Sequence, residues 1–501
     1  MVFGIKLISN MFKKFFQKNW LIIIILVLAS FLRLYKIADY MEFLGDQGRD
    51  VVVIKDFWKS FNLFFIGPRT SIGDMYLGPF FYYLIAPSLL LANFNPVGPA
   101  VFIALLNIFT VYLIYFIGNR WFDKKTALIS SFLFAISPVV IKYSNFIWNP
   151  NIMPLFSLLF VYFFFESFRT KKYHYFIFAS LSFVMVMNSH YLGLALLPFT
   201  GIYWLINLII FYKNKSPQLK PYWKNTLLAI IVFVISLVPQ VLFDIKHHGQ
   251  NAKALLKFFT YRETTVNIKA YKAIPKLPEL FNQVNTSLLA GKNVNFGIIL
   301  SIILALAIIL YIFKNYQKLK SEKVLSFWVI FFWYLSGLVS LALYKQHIYN
   351  HYFAFLFPSV FLLIGYLITK YKFFGYLVMA LIAYFSFLEN PSRYPANHQL
   401  ATVNKIANLI VANSSNQEFN FALLAKQNYD PPYRYVLSNK SAKIVNLPQN
   451  LANQLFVVCE PFQIDCNPIN NPEWSIAAFG WAKIDQQWDI DGIKIYKLVH
   501  P

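Results

Sequence analysis

The residues best suited to chemistry lie close to the start of the chain, in Gly45-Asp46-Gln47-Gly48-Arg49-Asp50. Two carboxylates stand four positions apart, with an arginine beside the second. Val51, Ile54 and Trp58 follow at a spacing that predicts a short helix with one face toward a membrane surface. A carboxylate at such an interface suits a general base, which removes a hydroxyl proton as that oxygen attacks a carbon centre. Arg49 suits bidentate binding of a phosphate. The same residues also fit a plainer arrangement, with Asp46 as an N-cap and Arg49 in a solvated ion pair.

Further candidates recur along the chain. Lys142 precedes Tyr143-Ser144. In Trp148-Asn149-Pro150-Asn151, Asn149 suits either an N-cap or a binding role. His190-Tyr191 sits in a very short connection. Asp244-Ile245-Lys246-His247-His248 and His347 through His351-Tyr352 supply cations and imidazoles. The first loop holds Asp39, Glu42, Asp46, Asp50, Asp56 and Asp74. No metal is expected, because the adjacent His247 and His248 diverge and no helix carries histidines and an acid at ligand spacing. With neither a P-loop nor a GxGxxG, a Rossmann-type nucleotide-sugar site is not expected either, and no cofactor is called for.

The elements that must position these residues are membrane helices. Of 501 residues, 58% are hydrophobic and 13% charged, and mean hydropathy is +0.51. This excludes a disordered chain, a disulfide scaffold and an ordinary soluble enzyme. Apolar runs recur at about 20–36, 98–118, 126–141, 151–168, 174–189, 191–212, 225–243, 296–313, 324–343, 352–370 and 373–389. Each is near the roughly 20 residues a span needs, the shortest being marginal. The start, with Lys6, Lys13, Lys14 and Lys18, leads into Trp20–Leu34 without a small-residue cleavage site, so this run is expected to anchor the chain.

Charge sets the expected topology. Segments 1–19, 119–125, 166–173, 213–224, 314–323 and 370–372 hold 20 Lys and Arg against three acids, so all six should be cytoplasmic. They alternate only if 76–91, broken by Gly78-Pro79 and Pro87, is a re-entrant or interfacial helix. The expectation is a polytopic α-helical membrane protein of about eleven spans, N-terminus cytoplasmic and C-terminus extracytoplasmic. Its net charge of +24 then reflects orientation, and no nucleic acid is needed. A transmembrane domain, 1–390, with outer loops 37–97 and 244–295, would precede a small α/β extracytoplasmic domain, 391–501. That tail has a helical stretch at His398–Ala412 and strand-like runs at Phe419–Leu424, Gln454–Val458 and Ile493–Leu498. Cys459 and Cys466 lie there, close enough in sequence to bridge.

The motifs resemble the C-type glycosyltransferase superfamily, and more closely its dolichyl-phosphate-mannose protein mannosyltransferase and aminoarabinose lipid A transferase branch. The resemblance covers about residues 15–390. It is carried by Asp46 through Asp50, Gly78-Pro79 through Leu84, Ser137-Pro138 through Ser144, Trp148 through Asn151, Leu242 through His247, and His351-Tyr352 through Pro358. It implies an outer-loop aspartate as base and a polyprenyl-phosphate sugar as donor. Asp46 matches by position. Where the protein mannosyltransferases have an Asp-Glu pair this chain has Asp46-Gln47, which makes Asp50 a second candidate.

The expected activity is transfer of a sugar from a polyprenyl-phosphate carrier to an acceptor glycan, lipid or protein at the outer face, with Asp46 as base. Arg49, Lys142, Asn149, His190, Tyr191, Asp244, Lys246, His247, His351 and Tyr352 are the candidate phosphate and sugar contacts. A polysaccharide polymerase or ligase would place its key residues in 244–295. A lipid-linked-sugar transporter or flippase would need polar residues at mid-membrane, which these runs nearly lack.

Overall fold

The computed structural model describes residues 2–70, 75–260, 265–267, 269–318, 321–460 and 466–501. Asp74 lies outside them, as do 261–264 and 268 of the loop 244–295, residues 319–320 of the basic segment 314–323, and residues 461–465. Among the described residues, seven helices are long and apolar enough to cross a bilayer, or eight if the bent pair Leu219–Ser236 and Val238–Lys246 makes one span. The chain is an integral membrane protein. The helix Phe80–Leu91 has 12 residues, a rise of about 18 Å, too short for a hydrocarbon core of about 30 Å.

The stretch Asn350–Leu388 turns back on itself. At Lys372 the backbone leaves the helical region (φ 48°, ψ −117°), and a Cβ on Gly375 would lie 2.2 Å from the carbonyl oxygen of Ile368. The first arm runs beside the helix Lys124–Ile136. Thr369 meets Thr126 at 3.2 Å, Gly365 closes on Ser130, and Phe361 packs edge-on against Phe134. The second arm returns beside Val294–Asn315, where Phe385 stacks on Phe296 at 4.3 Å.

Direct contacts gather the basic segments at one end of the bundle. Lys124 Nζ donates to the carbonyl of Lys18 at 2.6 Å. Arg120 pairs with Glu166 at 2.7 Å, Arg169 links Glu166 to Glu322 at 3.1 Å each, and Lys323 meets Asp123 at 3.3 Å. Tyr173 packs edge-on against Tyr222. Toward the opposite end, buried Arg33 donates to the carbonyls of Phe134 and Ala135, at 3.4 and 2.9 Å. A cation there complements the C-terminal dipole of Lys124–Ile136 and fixes where the chain enters Ser137-Pro138.

The C-terminal segment opens with the helix Gln399–Asn413 and builds a four-stranded sheet in the order β1-β2-β4-β3. Strand β1 is Asn420–Leu424, β2 Gln454–Cys459, β3 Lys483–Ile490 and β4 Ile493–Val499. β1 and β2 are parallel and the other pairings antiparallel. Every residue of β2 is buried, which suits its unbroken apolar run Leu455–Cys459. The edge strand β3, Lys483–Ile490, is mostly exposed and polar, so no alternation marked it in the sequence. Cys459 and Cys466 are disulfide-bonded. Ile406, Ile410 and Tyr435 of this segment share one buried cluster with Val51, Ile54, Phe81 and Ile85, so it packs directly on the first loop.

Candidate functional site

The helix predicted after Gly45 is Gly45–Ser60. Gln47 Oε1 accepts the backbone N–H of Leu44 at 3.0 Å, the return half of a capping box. A glutamine makes this bond as well as a glutamate, which accounts physically for Gln47 beside Asp46. The helix start is clamped by the C-terminal segment: Asn428 Oδ1 accepts the N–H of Gly45 at 2.9 Å. Cβ atoms on Gly45 and Gly48 would lie 2.5 Å from Tyr429 and 2.3 Å from Pro432. These glycines permit a close approach that any side chain would block.

Arg49 uses its fork on both acids. Nη1 donates to Asp46 Oδ1 at 2.9 Å, and Nε and Nη2 donate to Asp50 Oδ1 at 3.0 and 2.8 Å. The ion pair of the plainer reading is therefore present, though buried on the Asp50 side rather than solvated, and the N-cap is Leu44 rather than Asp46, which lies inside the first turn. The two carboxylates differ sharply in access, since the Asp46 side chain is 44% exposed and that of Asp50 0%. Tyr82 donates to Asp50 Oδ1 at 3.1 Å, while Asp50 Oδ2 has no hydrogen-bond partner. Burial pushes the Asp50 carboxyl up to about 6, against the pull of Arg49. Asp46 Oδ2 accepts from Trp148 Nε1 at 3.3 Å.

Trp148 leads into an aromatic and imidazole cluster. Its ring centroid lies 4.4 Å from that of His351, and Tyr143 packs near both. His351 is 6.2 Å from His190, which is 4.8 Å from Tyr352. Asp46, Arg49, Asp50, His190, His351 and Tyr352 thus meet, although more than 300 residues separate the first from the last. His190 Nδ1 accepts the N–H of Leu192 at 3.1 Å, which in a neutral ring leaves the proton on Nε2. Lys142, beside Tyr143, pairs with Glu42 at 3.2 Å.

Other candidates hold the frame. Asn149 is buried and donates to the carbonyl of Ser189 at 2.6 Å, fixing the residue before His190. The capping role expected for Asn149 is not observed: the N-cap of Asn149–Ile152 is Trp148, with no side-chain cap bond. Asn149 is itself the first residue of that turn, so its side chain lies beyond the cap. Tyr191 donates to the carbonyl of Tyr76 at 2.7 Å and accepts from Gln240 at 3.2 Å. Asp244 accepts the N–H groups of Asn251 and Ala252 at 2.8 and 2.9 Å, capping the helix Gln250–Thr260. His247 stacks on Phe243 at 4.0 Å, and Lys246 is exposed. None of Asp244, Lys246 and His247 touches the Asp46 cluster.

Among the described residues, one sizeable hollow reaches the cluster at His190, and a cleft opens where the first loop meets the C-terminal segment. The hollow, of about 220 Å³, is walled by Leu192, Leu255, Phe258, Leu341 and Leu343, with His190 and Tyr191 on its border. The cleft, of about 780 Å³, lies beside Phe43 and Leu44 and is lined by His398, Lys405, Lys426, Asn428, Glu460 and Asp491. Among the described residues, no three His, Cys, Asp or Glu side chains are grouped to hold a metal. Trp148, Tyr82 and Glu42 were the missed partners. Trp148 and Tyr82 lie inside the motifs quoted above and Glu42 among the first-loop acids, but only the fold pairs them with Asp46, Asp50 and Lys142.

Residues 77–238 match the family of dolichyl-phosphate-mannose-protein mannosyltransferases. No curated protein matches the chain by sequence. Among solved structures, ArnT from Cupriavidus metallidurans bound to undecaprenyl phosphate is 11% identical, with a TM-score of 0.60 over 96% of this chain and 98% of ArnT. Its apo form gives 0.57 over the same shares, also at 11% identity. The oligosaccharyltransferase AglB from Archaeoglobus fulgidus, in complex with an inhibitory peptide and a dolichol-phosphate, is 12% identical, with a TM-score of 0.50 over 88% of this chain and 70% of AglB. The chain thus shares the fold of ArnT over nearly its whole length, and its residues 77–238 are similar to the mannosyltransferase family, in line with the resemblance its motifs carry.

Proposed function

We propose that the chain is a membrane glycosyltransferase that moves a sugar from a polyprenyl-phosphate donor to an acceptor hydroxyl, with Asp46 as general base. The observation that carries this reading is the contrast between the acids: Asp46 is half exposed beside Trp148, whereas Asp50 is sealed behind Arg49 and Tyr82. Asp46 Oδ2 takes the acceptor proton as the acceptor oxygen bonds to the anomeric carbon. The bond from that carbon to the phosphate oxygen breaks, and polyprenyl phosphate leaves with the electron pair. Attack opposite the leaving group inverts the centre. Asp50 acts on Arg49, holding it so that Arg49 sets the Asp46 carboxylate.

The donor chemistry is supported by the relatives with bound undecaprenyl phosphate and dolichol-phosphate. It is also supported by the apolar hollow bordered by His190 and Tyr191, which suits an isoprenoid tail. His190, His351 and Lys142 would meet the phosphate or sugar. The polar cleft beside Phe43 and Leu44 suits the approach of a hydroxyl-rich acceptor. The basic end would face the cytoplasm and the Asp46 end the outside, with eleven spans, a transmembrane domain over 1–390 and an extracytoplasmic domain over 391–501. Purified protein, incubated with polyprenyl-phosphate donors bearing labelled sugar and an envelope fraction as acceptor, should release unlabelled polyprenyl phosphate and label the fraction. Absence of transfer from every such donor would refute the proposal.

A further inference from the structure

At the basic end, between the end of Val294–Asn315, the start of Glu322–Ala342 and the first arm of Phe357–Leu388, lies a pocket of about 350 Å³. Lys314, Lys318, Lys323 and Lys370 line it, and Tyr311 and Tyr366 bond to each other through their hydroxyls at 2.8 Å beside it. Among the described residues, only Lys323 of these lysines has a carboxylate partner, Asp123. Lys370 instead lies 4.8 Å from the centroid of the Tyr366 ring. Lys314 and Lys318 are exposed and pair with no carboxylate among the described residues.

Elsewhere at this end the two arginines are matched. Arg120 and Arg169 share Glu166, and Arg169 also reaches Glu322. Four ammonium groups against one carboxylate leave an uncompensated positive hollow, which favours an anion. Exposed rings that neighbour the pocket's helix ends in sequence say which kind. Phe313, Phe373 and Phe374, next to Lys314 and Lys372, are 71–74% exposed. A dissolved anion has no use for bare aromatic rings, whereas a lipid brings acyl chains to cover them. We infer that this pocket binds the phosphate headgroup of an anionic phospholipid, with the lysines donating to phosphate oxygens and the rings meeting the chains. Basic hollows between membrane helices are suited to such headgroups. The inference needs only the membrane-embedded fold and stands apart from the glycosyl-transfer reading.

The test uses delipidated full-length protein in detergent, titrated with phosphatidylglycerol, phosphatidylcholine or inorganic phosphate, with bound lipid read by native mass spectrometry and melting by intrinsic fluorescence. Phosphatidylglycerol should be retained and raise the melting temperature, while phosphatidylcholine and inorganic phosphate should not. Lys314→Gln/Lys318→Gln/Lys370→Gln should weaken phosphatidylglycerol binding by on the order of 100-fold, about fivefold per lysine. The triple Lys→Arg variant, which keeps the charge, should retain it, as should Lys171→Gln/Lys172→Gln outside the pocket. Equal binding of phosphatidylglycerol by wild type and the triple Gln variant would overturn the inference. So would a response to phosphate alone equal to that to lipid, which would mark a soluble-anion site. If the Gln variant does not fold, failure of the triple Arg variant to bind overturns it equally.

Discussion

At the basic end of the bundle, buried Glu166 takes bonds from Arg120, Arg169 and Trp121. At the opposite end, Asp50 is as deeply buried and takes bonds from Arg49 and Tyr82. The two networks look alike until their neighbours are compared. Both Glu166 oxygens are satisfied, and the network links helices. Asp50 leaves one oxygen without a partner, and its arginine continues to a second, open carboxylate that leads to Trp148, His351 and His190. An ion pair that ends in itself is a brace, whereas one that extends to an exposed carboxylate beside an aromatic and imidazole cluster can orient a reacting group.

That difference can be broken experimentally, and the largest effects come from removing either brace. Glu166→Gln leaves Arg120 without its carboxylate and Arg169 with Glu322 alone, and should cost about 1–3 kcal/mol of stability, with transfer per folded molecule unchanged. Arg49→Ala leaves Asp50 buried without its cation, at a larger cost of about 3–5 kcal/mol, and should also abolish transfer by freeing Asp46. Melting curves combined with activity per folded molecule separate the two. Loss of transfer in Glu166→Gln would erase the distinction.

A smaller effect is set by pH. The folded Asp50 value of about 6 lies above the unfolded value of about 3.9. Its contribution to stability is therefore fullest below about pH 4 and is lost as pH rises through 6. Asp50→Asn cannot titrate, so the melting temperature of wild type relative to this variant should fall between pH 5 and pH 7. A gap that stays constant over that range would contradict the burial of this group. The smallest effect is Trp148→Phe. It keeps the ring against His351 and removes the N–H to Asp46, worth about 0.5–1.5 kcal/mol, so transfer should fall about twofold to tenfold with donor affinity unchanged.

Much of this arrangement was legible in the sequence because it is local. The helix after Gly45, the helix Gln399–Asn413, strands β1, β2 and β4, and the basic segments gathered at one end all follow from periodicity and charge. What was hidden depends on distant partners. Arg33 sits in an apolar run and looks like an ordinary end charge, yet besides the carbonyl of Ala29 it reaches two carbonyls about 100 positions away. Asp46 and Asp50 have the same local sequence character. Only Tyr82, Trp148 and the C-terminal clamp on Gly45 and Gly48 make one buried and the other open. Asp244, Lys246 and His247 read as a phosphate site, and nothing in the sequence shows that Asp244 caps the next helix or that His247 stacks on Phe243.

The central claim, that Asp46 rather than Asp50 removes the acceptor proton, is tested most directly by measuring labelled-sugar transfer and donor binding in Asp46→Asn beside Asp50→Asn. Asp46→Asn keeps the shape and loses the base, so transfer should fall by about 10²–10⁴-fold with donor affinity unchanged or slightly higher, and Asp50→Asn should fall less. Near wild-type transfer in Asp46→Asn together with its loss in Asp50→Asn would contradict the account.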